Sequence, residues 1–277
     1  MISRLVGACL RGFLVMLLIA TPALLLPGVS TDTAQVIVFI GLFAAVLTVF
    51  EYNAAYPCLY EFRDAPPFNR IRFISLLITV FLLSLILKGE VHPTLLTDLT
   101  RAIGSLVGQA IDVPYSPVRL VVLMLPESAP VSQLDLLRAL AGLAYLTSLV
   151  SLAVFYIALR LQGWPLQNGS FNVWVNLPTF DPTSGGDVVT RLRRDSHVNI
   201  SLGILLPFLM PAVVASASSL FGSVSLTNPQ TMIWTVAAWA FLPASLLMRG
   251  IAMGRIAGMI ADKRRQTTLD DSGLLAA

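Results

Sequence analysis

From Ala139 to Leu159 this chain carries no charged side chain, and the same holds for Ala34–Phe50, Phe73–Leu87, Ile200–Leu220 and Met232–Met248. Runs of this kind match or approach the ~20 apolar residues that a helix needs to cross the hydrocarbon core of a bilayer. Backbone N–H and C=O groups find no water there, so each run must be a helix or a strand of a closed barrel. A barrel strand alternates apolar and polar residues, whereas these runs are continuous. Only 12% of the residues are charged, about half the ~25% usual in soluble domains. The fold class expected is therefore all-α: one integral membrane domain, multipass and helical, covering residues 1–277.

Six spans follow, at about 12–28, 34–50, 73–87, 136–159, 200–220 and 232–248. The first follows a short basic stretch and resembles a signal peptide, but no small-residue cleavage site closes it, because Leu24–Leu26 continue the apolar run. It reads as a retained span. The fourth is expected to start at Ser132-Gln133-Leu134-Asp135, a Ser-x-x-acid helix start. An even number of spans puts both termini on one side. Counting Lys and Arg in the connections gives 14 on the side of the termini and 4 on the other. By the positive-inside rule the termini are cytoplasmic, and the Arg-rich, compact chain suggests a bacterial inner membrane.

Three of the five connections are long. The outer one of these is 88–135. In it Leu95, Leu99, Ile103, Leu106 and Ala110 recur at helical spacing, opposite Asp98, Arg101 and Ser105, so an amphipathic helix at the outer interface is expected. Val118–Leu125, fenced by prolines, is too short to cross: it dips into the membrane, sits beneath that helix or, most simply, packs against the outer ends of the spans. The inner loops, 51–72 and 160–197, hold most of the polar residues. In the second, Phe171–Leu177 alternates with a period of two, which suits a short strand or extended segment. Asp187–Asp195 then reads as helical turns feeding span five.

Chemistry is scarce. No ionisable residue lies mid-span; Glu51 and Arg249 fall at inner span ends, within reach of the interface. Transporters and pumps usually place such groups inside their spans. His92 and His197 fall on opposite sides, and Cys9 and Cys58 fit no metal spacing. Ser184-Gly185-Gly186-Asp187 lacks the lysine of a phosphate loop. These residues single out neither a catalytic group nor a cofactor, and nucleic acid is not an expected partner. Pro207 and Pro211 in span five and Pro243 in span six are expected to break their helices, which could free carbonyls for an ion. Ser216, Ser218 and Ser219 would add hydroxyls beyond the break.

Two sets of residues point instead to association. Gly250, Gly254 and Gly258 form successive Gly-xxx-Gly units that let helices approach closely. In the inner loops, Glu61, Arg63, Asp64, Arg70, Arg191 and Arg194 share one side of the membrane with the aromatic residues Tyr60, Phe68, Trp174 and Phe180. Together they read as a docking surface, with a salt-bridged cap as the simpler alternative. The function expected is a non-catalytic accessory, assembly or scaffold subunit of a larger inner-membrane complex, with a protein partner or a second copy beside the lipid bilayer. The alternative is a small permease or channel component with a site near the broken fifth and sixth spans. An interface enzyme has only scattered carboxylates in its favour.

Overall fold

The computed structural model describes residues 2–126, 128–165, 171–181, 183, 185–221 and 228–275; the side chains of 2, 3, 174, 215, 217–221 and 269–275 lie outside that description. All elements among these residues are helices: α1 (Ile2–Leu25), α2 (Thr31–Asn53), α3 (Phe68–Gly89), α4 (Leu95–Ile111), α5 (Pro117–Val122), α6 (Val131–Leu161), α7 (Val173–Asn176), α8 (Val188–Phe221) and α9 (Pro229–Leu275). Six of them, α1, α2, α3, α6, α8 and α9, are long and apolar enough to cross a membrane. The protein is a multipass helical membrane protein.

Several helices extend beyond their apolar runs because polar side chains secure their ends. Asp187 accepts the Thr190 N–H at 2.9 Å and starts α8, so the basic segment 188–195 and span five form one helix. Asn228 accepts the N–H groups of Gln230 and Thr231 ahead of Pro229 and starts α9. Thr94 and Thr97 close a reciprocal capping box on α4, satisfying two otherwise orphaned donors. The start expected at Ser132 is not used. Pro130 caps α6 without a side-chain bond, and Asp135 pairs with Arg138 instead. The alternating segment 171–177 is no strand: Asn176 and Leu177 donate N–H bonds to Asn172 and Val173, closing a single helical turn. Tertiary contacts override the local pattern there, since the turn buries Asn176 and Leu177 together.

The bundle has two apolar cores, one at each end. The far end joins Val80, Leu83 and Ile86 of α3, Val118 and Val121 of α5, Leu137 and Leu140 of α6, and Ile233 and Val236 of α9. The second core lies at the loop end, on the side of the 51–67 and 162–187 connections. It joins Phe62, Phe68, Phe155, Trp164, Leu177 and Leu192 to Met253 and Ile256 of α9. The segment expected to dip or pack is therefore a packed plug, held by α6 and α8. Helix α4 also packs in an unexpected way. Its buried side is Thr97, Thr100, Gly104 and Gly108, with Thr97 against Gly89 of α3 and the two glycines against Ala139 and Arg138 of α6, while Leu95, Leu99, Ile103 and Leu106 stay exposed.

Candidate functional site

The two polar loops meet, and they do so around Asn176. Its carbonyl accepts the Phe62 N–H at 2.6 Å, and its Oδ1 accepts the Asp64 N–H at 3.0 Å. Phe62 takes φ 53, a left-handed conformation that costs an aromatic residue about 1–3 kcal/mol. Its ring is held between Phe68 and Trp164, with centroids at 4.3 and 5.8 Å. Trp164 in turn donates its indole N–H to the Ala65 carbonyl. This aromatic nest ties the first loop to the second.

Charge closes the same junction. Glu51 is almost fully buried at the end of α2, and its Oε2 accepts the N–H groups of Cys58 and Leu59, both at 2.9 Å. Arg63 reaches back to the Glu51 and Ala54 carbonyls at 3.0 and 2.6 Å. A cation there complements the negative end of the helix dipole. Glu61 takes a two-point grip from Arg249 of α9, at 2.6 and 2.7 Å, and accepts the Thr179 hydroxyl. Glu51 and Arg249, which the sequence places at inner span ends within reach of the interface, are the anchors of the junction.

Of the expected docking residues, several are consumed by this assembly. Glu61 and Arg63 are internal, and Phe68 and Phe180 lie in the loop-end core. The Tyr60 hydroxyl sits 3.1 Å from that of Thr48. Arg191 stacks on Phe180 with 4.7 Å to its centroid and donates to the Asp181 carbonyl. Asp64, Arg70 and Arg194 remain exposed. The Trp174 side chain lies outside the described residues, as do those of Ser218 and Ser219. Asp187 joins the start of α8 to α9 through Arg264 at 2.5 Å. The Arg264 guanidinium, helped by the Thr190 N–H, holds its carboxyl down at about 2.

The three span prolines do not break their helices: α8 runs through Pro207 and Pro211, and α9 through Pro243. Pro211 lacks an N–H, so the Pro207 carbonyl has no helical donor. The Trp239 indole N–H of α9 fills that gap at 3.0 Å. The cavity beside it holds only about 30 Å³ and is lined by residues such as Met210, Val214 and Val236. Among the described residues no group of three or more His, Cys, Asp or Glu is placed to hold a metal.

The glycine stripe divides. A Cβ at Gly250 would lie 2.8 Å from the Ser196 carbonyl, and one at Gly254 would lie 2.9 Å from the Ser196 hydroxyl, so both face α8. At Gly258 nothing among the described residues lies within 4 Å. The closest approach in the bundle went unnoticed in the sequence. A Cβ at Gly142 of α6 would lie 2.5 Å from Gly108 of α4. Its signal was the spacing Gly104-xxx-Gly108, the same spacing that marks Gly250 and Gly254. No protein-family model, curated protein or solved structure matches this chain.

Proposed function

We propose that this protein is a non-catalytic accessory, assembly or scaffold subunit of a larger complex in a bacterial inner membrane, with both termini cytoplasmic. The observation that carries this reading is the state of α2. Among the described helices α2 packs on α1 alone, and only 11% of its apolar window is buried. Val36, Phe39, Phe43, Val46 and Phe50 all lie on it at alternating spacings of three and four, and each is more than half exposed. That is the spacing of a helix–helix seam. An aromatic seam of this kind offers a partner helix large rigid surfaces. The apolar void of about 30 Å³ at α8–α9 and the occupied Pro207 carbonyl lend no support to the permease alternative.

The orientation draws on charge. The loop end and its termini hold 14 Lys and Arg against 9 Asp and Glu; the far end holds 4 against 6. Reporter fusions at Gly169 and Asp270 should read as cytoplasmic and one at Pro114 as external. An external signal at Gly169 reverses the orientation.

The partner is sought by purifying the tagged chain in mild detergent and identifying what accompanies it. A stoichiometric partner lost on Phe39→Ala with Phe43→Ala, with insertion intact, is the expected result. A lone chain that conducts solute into liposomes would overturn the reading in favour of a permease.

A further inference from the structure

Helix α9 does not end where its core ends. Its last buried residue is Ala257, and from Asp262 to Thr268 every residue is exposed. Across this boundary the helix and the turn at 163–165 form an open groove of about 1220 Å³. Arg255, Lys263 and Arg264 line it against one acid, Asp262. Arg264 is paired with Asp187. Arg255 is aimed by its Nε–H bond to the Trp164 carbonyl at 3.0 Å, and Lys263 has no ion-pair partner among the described residues. The rest of the lining sets apolar Phe171, Met259 and Ile260 beside polar Gln266, Thr267 and Thr268. Gly258 leaves room in the groove, because no atom of the described residues lies within 4 Å of where its Cβ would be.

A cationic rim beside an apolar lining, set at the boundary between buried and exposed helix, matches an amphiphile with an anionic head. We propose that this groove binds an anionic phospholipid, its phosphate against Arg255 and Lys263 and the upper part of its acyl chains along Phe171, Met259 and Ile260. Free phosphate would use the cations and leave the apolar lining idle. The proposal rests on the cytoplasmic orientation given above, because basic residues just inside a span meet the anionic leaflet there. It assigns Gly258 a role apart from Gly250 and Gly254: those two admit a helix, and Gly258 admits a lipid.

The full chain, reconstituted in nanodiscs of phosphatidylglycerol or of phosphatidylcholine, is released and weighed by native mass spectrometry with its retained lipid. Phosphatidylglycerol is expected to stay bound and phosphatidylcholine to be lost. Gly258→Leu puts a side chain into the groove, leaves every charge in place and meets no neighbour among the described residues, so it should lower phosphatidylglycerol retention about tenfold with unchanged melting. Lys263→Gln should lower it about fivefold, the factor for one cation near a charged surface. Should Gly258→Leu melt early, Lys263→Gln at its exposed position decides alone. Equal retention of the two lipids overturns the proposal. So does full retention in Gly258→Leu, which would mean a diffuse surface attraction, and so does displacement of the lipid by inorganic phosphate alone. Lipid retention is read without reference to orientation, which the reporter fusions decide separately.

Discussion

The two ends of the bundle are held by different physics. At the far end, α4 and α6 touch backbone to backbone through Gly104, Gly108 and Gly142. Its charges are spent on one another, Arg101 on Glu90, and Arg119 and Arg138 on Asp112. At the loop end the chain instead wraps a cluster of aromatic rings and locks it with Glu61 and Arg249. Cations such as Arg70, Arg193 and Lys263 there have no ion-pair partner among the described residues. Close contact of small residues stabilises helices where no hydrophobic drive separates protein from lipid. Aromatic burial and charge pairing serve where the chain meets water. The difference teaches that the two ends share out their charges differently: the far end pairs three of its 4 cations, whereas the loop end, with 14 cations against 9 acids, must leave some of its cations without a carboxylate.

Substitutions that exchange these mechanisms should break the contrast. The largest effect is expected at the far end. Gly142→Leu would drive a side chain into the backbone of α4, which has no rotamer to yield, and should cost about 3 kcal/mol or more. Thermal melting in detergent checks it, and an unchanged melting temperature would mean that α4 is not seated on α6.

At the loop end, Glu61→Gln leaves Arg249 without its carboxylate, only a quarter exposed. Removing one partner of such a pair should cost about 3 kcal/mol, and here the exposure reduces it to about 2. Adding Arg249→Gln should recover part of the loss. A double-mutant cycle that shows no coupling would remove the ion pair from the description of the clasp.

Trp239→Phe sharpens the contrast from inside the far-end core. It keeps most of the ring that stacks on Tyr145 but deprives the Pro207 carbonyl of its donor. A buried acceptor left unmet should cost about 1–2 kcal/mol, again read as a fall in melting temperature. No change would mean that another donor serves the carbonyl.

The smallest effect concerns pH. Asp187 titrates at about 2 in the folded chain, below its ordinary 3.8. A depressed carboxyl contributes stability above its unfolded value and loses it as pH falls through the folded one. The link from Asp187 to Arg264 should therefore hold from neutral pH down to about 4 and weaken between about 4 and 2. Spin labels at Thr190 and Gln266 would report the separation of the two segments. Loosening already at pH 6 would exclude Asp187 as the cause.

The sequence by itself determined the class of this protein and the number of its spans, because a backbone without water must form helices wherever apolar runs are long enough. It also determined the charge asymmetry, since Arg and Lys keep their charge in any arrangement the chain adopts. The small-residue spacing at Gly250 and Gly254 was legible for the same reason: a missing side chain is a local fact. What faces that gap is not local, and only the tertiary structure decided that Gly250 and Gly254 meet α8, that Gly258 meets nothing among the described residues, and that α4 packs by its glycines with its leucines outward. Glu61, Arg63 and Phe180 read as surface because polar loops usually are. Only the folded chain could place them inside, since their partners, Arg249, the end of α2 and Arg191, lie on other segments and become neighbours when the loops close over the bundle.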